Sequence, residues 1–508
     1  MPTRSIAAPR PRRTGARALG LLLVCLALSL PASAPAARAA DQPAEQLRAF
    51  WVDALNPGFR NHPQVDELVA DALRANANTL FVQMRRHGDA RYNQSIEPRA
   101  ADPLLAPADA FDPLAYLLEK AHLHGLAVHA WLVISVTCRD NDPLRGLPGH
   151  LCTAHGPASS GAARWTTATY RGAQVGDLDF GHPEAVRHIE QVVQHMLRNY
   201  PALDGIHYDY IRFGGADHGY NQVSVERFNR ATARPLNQRP APDDPAWSQW
   251  RRDRVTELVR RLYLRVKALN PRVQVSAATI TWGGLGSYHP NDWPNSAAYS
   301  RVFQDWRAWL QEGILDFAVP MHYFAEGDAQ TRGWYDGWLA WDRGQAGRRA
   351  IVAGVGAWLN SAEQNSAQIA RALAPAADGG ALAGVALFSY HRPQQGDSPE
   401  QRRALIDQLR ASVFAQPARA PAWPWIANPT TGHIQATAAI DGQVVPDAHV
   451  SLFRQGVWLR DLSASSDGWF GAIDLEPGNY SVLVRNPANG RAAELALQVL
   501  PGSVANGP

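Results

Sequence analysis

From residue 47 to about residue 409, short apolar runs alternate with stretches whose apolar residues recur every three to four positions, and the alternation repeats eight times. The runs at 47–54, 78–84, 127–133, 205–211, 273–280, 315–323, 350–356 and 384–390 are mostly rich in Val, Ile, Leu, Phe and Ala, as strands covered on both faces are. Between them lie amphipathic helices. Val186, Ile189, Val193, Met196, Leu197 and Tyr200 make one stripe behind Pro183, and Val65, Leu68, Val69 and Leu73 make another behind Asn61 and Pro63. Strict alternation predicts a parallel sheet, and eight successive units predict an α/β fold built on a closed (β/α)8 TIM barrel. A doubly wound open sheet is the alternative. It would carry a glycine-rich phosphate loop after its first strand, where this chain reads Val52-Asp53-Ala54-Leu55-Asn56.

The connections are unequal. Long ones follow the second strand (85–110), the third (135–181), the fourth (212–242) and the fifth (281–298), while turns entering strands are as short as Ala75-Asn76-Ala77. Functional loops of barrels follow the C-terminal ends of strands, so a broad, walled cleft is expected at that end. The barrel is assigned to residues 40–415 and a Pro-rich linker to 416–429. Beyond the linker the apolar period changes to two, in runs at 434–440, 449–453, 480–484 and 495–500 separated by Asp441-Gly442, Asp467-Gly468 and Pro477-Gly478. This predicts a small antiparallel β-sandwich over 430–502. Its segments Val444-Val445-Pro446-Asp447-Ala448-His449-Val450, Ser466-Asp467-Gly468-Trp469-Phe470 and Leu475-Glu476-Pro477-Gly478-Asn479-Tyr480 resemble the transthyretin-like fold of carboxypeptidase regulatory domains. The resemblance implies a structural or adhesive module, which makes a partner in the cell envelope a candidate and assigns the module no catalysis.

Charge changes the picture at the N-terminus. The 508 residues carry a formal net charge of +3, yet residues 1–39 hold six Arg and no acid, which leaves 43 basic against 46 acidic residues in the remainder. A slightly acidic body lacks the basic footprint of a nucleic-acid partner. The Arg-rich start, the apolar run 18–30 and the small residues ending at Ala37-Arg38-Ala39 read as an export signal over 1–39, placing the mature chain in the periplasm or outside the cell. No later stretch reaches the length of a membrane-spanning helix. Removing that segment leaves Cys138 and Cys152 in one loop, and an exported chain favours a disulfide between them.

Polar groups at strand ends are the candidate chemistry. In Asp204-Gly205-Ile206-His207-Tyr208-Asp209-Tyr210-Ile211-Arg212, period two puts His207 and Asp209 on one face and Ile206, Tyr208 and Tyr210 on the other, so His207 and Asp209 are expected at the barrel mouth with Arg212 nearby. Other strand ends offer Asp53, Arg85, Asp89, His322, Glu326 and Tyr390, and the aromatic residues Tyr92, Trp131, Tyr210, Trp282 and Tyr323 are expected around the same cleft. Aromatic platforms with a few acids are what a polysaccharide cleft requires, since sugar faces stack on rings while hydroxyls bond to charged groups; core packing is the competing explanation for any single ring.

The segments Leu47-Arg48-Ala49-Phe50-Trp51-Val52-Asp53, Asn78-Thr79-Leu80-Phe81-Val82-Gln83, Phe111-Asp112-Pro113-Leu114, Gly125-Leu126-Ala127-Val128-His129-Ala130-Trp131-Leu132 and the Asp204–Arg212 motif, in this order, resemble the glycosyl-hydrolase-like family 10 barrels of bacterial envelopes. The resemblance implies a TIM-barrel glycosidase acting on a polysaccharide, with peptidoglycan glycan strands among the substrates of relatives, and maps the catalytic strand-four carboxylate onto Asp209. Glycoside hydrolysis takes two carboxylates, one donating a proton to the leaving oxygen and one acting as nucleophile or base. Asp209 is assigned the second role; the proton-donor candidates are Asp89, Glu326 and Asp53, in that order. No cofactor is expected. A metal centre is disfavoured because there is no HExxH and His122-Leu123-His124 falls at a helix C-terminus, where His satisfies end carbonyls. A carbohydrate-binding barrel that has lost an acid, and an envelope scaffold, are the non-enzymatic alternatives.

Overall fold

The computed structural model describes residues 44–139, 146–345, 347–392, 394 and 398–507. The export segment expected over 1–39 lies outside them. Eight parallel strands close on themselves: β1 (Leu47–Val52), β2 (Thr79–Arg85), β3 (Ala127–Val133), β4 (Gly205–Asp209), β5 (Gln274–Thr279), β6 (Phe317–His322), β7 (Ala353–Gly356) and β8 (Gly384–Phe388). Each pairs with its successor, and β8 returns to β1 with Phe388 opposite Trp51. The major outer helices are α1 (His62–Arg74), α2 (Pro113–His122), α3 (Pro183–Asn199), α4 (Pro245–Leu269), α5 (Trp306–Glu312), α6 (Ala329–Gln345), α7 (Ala362–Leu373) and α8 (Pro399–Ala411). The fold is therefore the (β/α)8 barrel that the alternation predicts.

Period two along the strands sorts the core into two layers. Trp51, Phe81, Trp131, Phe317 and Val352 fill the barrel interior, while Phe50, Leu80, Ile206, Tyr208 and Val275 pack outward against the helices. Helix starts follow from local chemistry. The Asn61 side chain accepts from the Gln64 amide, Asp112 from Leu114 and Ala115, and Ser361 and Ser398 form reciprocal capping boxes with Gln364 and Gln401. Gly205 opens β4 because a Cβ there would lie 2.3 Å from the His129 ring. Cys138 and Cys152 form the expected disulfide.

After the barrel, seven strands make two sheets: β9 (Gly432–Thr437), β10 (His449–Arg454), β11 (Val457–Ser463), β12 (Trp469–Leu475), β13 (Gly478–Arg485), β14 (Ala492–Val499) and β15 (Val504–Asn506). The order is β11-β10-β13-β14 in one sheet and β12-β9-β15 in the other, around a core of Ile434, Val450, Leu452, Phe470, Val482 and Val484.

The Pro-rich segment is not a free spacer. Trp423 is buried with the interior residues of the barrel, stacks on Phe317 at 5.5 Å and donates from Nε1 to Gln274 Oε1 at 2.8 Å. Trp425 Nε1 donates to Asp316 at 2.9 Å. These partners sit at the starts of β5 and β6, so the segment plugs the floor of the barrel, the end opposite the cleft. The sandwich is clamped to the same region: Arg261 of α4 pairs with Asp467 and lies 4.6 Å over the Trp469 ring, and Arg349 pairs with Asp474 at 3.0 Å. No helix among the described residues is long and apolar enough to cross a membrane.

Candidate active site

At the C-terminal end of the strands lies a cavity of about 400 Å3, lined by Asp53, Gln83, Trp131, Asp209, Arg212, Trp282 and Tyr323 among others. Asp53 and Asp209 are the only carboxylates among the described residues that line it. One layer below, Trp51 Nε1 donates to His207 Nε2 at 3.0 Å, so side chains of β1 and β4 meet across the barrel. Two residues further along stand Asp53, just past the end of β1, and Asp209, the last residue of β4, which period two places on the same inward face, one layer nearer the mouth.

Asp209 ends β4 and is 6% exposed. Its Oδ2 accepts from Trp131 Nε1 at 3.2 Å and its Oδ1 from the Tyr210 amide at 2.6 Å. Burial raises its pKa; the nearby Arg212 cation and these two hydrogen bonds oppose the rise without cancelling it. The site therefore makes Asp209 hold its proton more tightly than a free aspartate does. Tyr210 reaches the cleft because the strand has ended and the chain turns there with φ 49°, a left-handed conformation that side-chain-bearing residues adopt rarely. Arg212 lies 4.0 Å over the Tyr210 ring and 5.7 Å from that of Trp282, held by two aromatic faces. Asp53 Oδ1 accepts from the Leu55 amide at 3.0 Å and from Asn56 Nδ2 at 2.8 Å, and Gln83 Oε1 fixes the same loop by accepting from the Ala54 amide at 3.0 Å.

Trp131, Tyr210, Arg212, Trp282, Tyr323 and Asp53 thus share the cavity with Asp209, while the other expected residues do not. His207 is interior but too deep, stacked on Phe81 at 4.4 Å and bonded to Ser276 Oγ at 2.9 Å. Arg85 is withdrawn because the register of β2 against β3 shifts between Gln83 and Arg85; fully buried, it pairs with Glu97 at 2.7 Å. Tyr92 packs edge-on against Tyr200 in the outer core. His322 alternates outward between Met321 and Tyr323 and bonds to Asp342 at 2.7 Å. The Tyr390 hydroxyl donates to Asp71 at 2.9 Å, on the helix side of the barrel.

Both preferred proton donors are engaged elsewhere. Asp89 lines a neighbouring cavity, accepts from the His87 amide at 2.8 Å and pairs with Arg91 at 3.1 Å. Glu326 accepts from Arg371 at 2.6 Å and Gln368 at 3.3 Å. Neither lines the central cavity, and Asp53, placed last, does. Gln83, Arg86 and His87, at the polar end of the second strand, also border the cavity, as do Arg139 and Phe388, which sequence reasoning did not single out. The signal for Gln83 was its place two residues past Phe81 on an inward face. No group of three or more potential metal ligands occurs among the described residues.

Residues 46–346 match the family described as glycosyl hydrolase-like 10. Glycosyl hydrolase DigH of Escherichia coli K12 is 25% identical over 345 residues, which is 61% of this chain and 72% of that protein. Glycosyl hydrolase YngK of Bacillus subtilis strain 168 is 23% identical over 446 residues, 81% of this chain and 79% of that protein. Among solved structures, the catalytic domain of a β-amylase from Paenibacillus polymyxa superposes with a TM-score of 0.50 at 9% identity, covering 74% of this chain and 99% of that one, a likeness of fold. With the match spanning more than half of its length, the chain belongs to the glycosyl hydrolase-like 10 family and is a glycosidase.

Proposed function

We propose that the protein hydrolyses glycosidic bonds within a polysaccharide, with peptide-free peptidoglycan strands as the foremost candidate, and that Asp209 and Asp53 are the reacting pair. The observation that carries this reading is that Asp209, a buried carboxylate whose pKa burial raises, and Asp53 are the two carboxylates among the described residues that line a cavity walled by Trp131, Trp282 and Tyr323. Asp209 holds the proton that passes to the leaving glycosidic oxygen. Asp53 acts on the anomeric carbon from the other side, directly or through a water molecule. Trp131 orients the Asp209 carboxyl, and Arg212 balances its charge once the proton has left. The disulfide accords with an exported protein, a location that cell fractionation tests.

Product release from a panel of glycans, including peptide-free peptidoglycan strands, tests the reading in wild type, Asp209→Asn and Asp53→Asn, with binding measured in parallel. Each substitution is expected to lower turnover by about 100-fold or more while binding persists. Because catalysis needs Asp209 protonated, activity falls as pH rises through its elevated pKa, so the alkaline limb of kcat lies above the ordinary aspartate range. Binding without turnover in wild type would overturn the hydrolase reading.

A further inference from the structure

The central cavity does not end at Asp53. A second cavity of about 220 Å3 lies beyond it, bordered by Asn56, Trp358, Ser389 and Arg392, and shares Asp53, Leu55 and Phe388 with the first. Asp53 therefore stands on the boundary between two spaces rather than at the wall of one. Trp358 follows β7 in the short turn Ala357–Leu359 and is half-buried. Its ring is fixed edge-on against Tyr323 at 4.8 Å and Phe388 at 5.4 Å. Gly356 permits that approach, since a Cβ there would lie 2.9 Å from the Tyr323 backbone and 3.2 Å from the Trp358 ring. A rigid indole beside a carboxylate, open to solvent on one side, has the makings of a sugar-stacking platform, because its position is set before any ligand arrives.

We propose that the second cavity is a sugar-binding subsite with Trp358 as its platform, lying across the scissile bond from the Trp131–Trp282 side, and that the enzyme consequently cuts glycan chains internally. The inference rests on the reading of Asp53 and Asp209 as the reacting pair. Bond cleavage occurs where the two carboxylates stand. A cavity on each side of Asp53 makes a trough that holds sugars on each side of that bond, so the bond cut lies within the bound stretch of chain. A third cavity of about 210 Å3, sharing Leu55, Arg86 and His87 with the first, extends the same trough on the side of β2.

The test uses the full chain with peptide-free peptidoglycan strands and a β-1,4-linked N-acetylglucosamine hexamer as probes. Wild type is expected to give a broad range of intermediate lengths from strands at the earliest times; release of one small product of constant size from the start would overturn internal cutting. Trp358→Ala is expected to lower kcat/KM on the hexamer by about tenfold, several-fold more than on an aryl glycoside of the dimer, with Trp358→Phe in between. Equal losses on both substrates, or none, would overturn the subsite. If wild type binds glycans without cleaving them, the hydrolysis reading has failed separately. The subsite is then read by calorimetry: the hexamer should bind wild type more tightly than the dimer by about tenfold, and Trp358→Ala should erase the difference. A hexamer that does not bind, or binds no better than the dimer, overturns the proposal. Trp458→Ala, on the exposed edge of the sandwich, is the control expected to change none of these quantities.

Discussion

Replacing Glu97 by Gln is expected to destabilise the protein by about 3–5 kcal/mol, because it leaves the Arg85 cation buried without its counter-charge. Arg85 is completely inaccessible, and its Nε and Nη2 donate to the two Glu97 oxygens at 2.7 and 2.8 Å. Its Nη1 donates to the carbonyl of Val133 and, at 3.2 Å, to that of Ile134, while His188 Nε2 lies 2.9 Å from Glu97 Oε1. The group thus ties the end of β2 to the end of β3, just past Trp131. An independent magnitude comes from protonation. Burial by itself would raise the Glu97 pKa, but the Arg85 charge and the hydrogen bonds from His188 and Arg85 outweigh it and hold the carboxyl at about 2 instead of 4.5. At about 1.4 kcal/mol per pH unit, that depression amounts to roughly 3 kcal/mol, in the range expected from breaking the pair. The sign is fixed by linkage: this stabilisation is present in full above pH 4.5 and is lost as pH falls toward 2. Urea unfolding of wild type and Glu97→Gln at pH 7 and at several acidic values measures both quantities. Wild type should show the steeper loss on the acid side and converge toward the variant. The double replacement Arg85→Met with Glu97→Leu should recover much of the deficit, since an apolar pair leaves no buried charge. A deficit below about 1 kcal/mol at pH 7, or parallel pH profiles, would refute the reasoning.

Two further outcomes follow from other contacts. Replacing Cys138 and Cys152 by Ser opens a loop of 14 residues and is expected to cost about 3 kcal/mol, together with weaker substrate binding because Arg139 of the cleft adjoins the bridge; an unchanged urea midpoint with unchanged KM would refute this. Trp423→Ala empties the barrel floor and is expected to cost about 3–5 kcal/mol in the same assay, so deletion of 416–508 should yield a barrel that unfolds far more readily than the intact chain; a deletion variant with the full-length midpoint would show that the plug carries no stability.

The barrel was legible because strands buried on both faces appear as unbroken apolar runs, and β1, β3 and β4 fall within or on the runs read for them. The sandwich was legible in part. The edge strand β11 mixes Arg460 and Asp461 into Val457–Ser463 and lies largely exposed, so it gave no apolar run to find. Site residues failed where their placement depends on something other than alternation. Arg85 was lost to a register shift, whereas Tyr210, expected at the cleft, reaches it through the turn at the end of its strand although alternation alone would send it outward. Choosing among Asp53, Asp89 and Glu326 required knowing which carboxylates already have cations. Arg91 stands two residues from Asp89 and was readable as its partner, whereas Arg371 reaches Glu326 from 45 positions away. The plug carried a sign of its own, since Trp423 and Trp425 are costly residues to leave in a solvated spacer.

The pairing of β1 with β8 constrains the order in which this chain reaches its native state. Arg48, in the first strand, donates to the carbonyl of Gln416 across 368 positions, and Trp51 stands opposite Phe388. A chain that folds from its N-terminal end therefore holds β1 with one edge unpaired until the eighth strand is available, and contacts of that sequence separation are slow to form. The indole of Trp423 comes later still. Its burial marks the moment at which the ring has closed, making the floor of the barrel a natural reporter of completed folding.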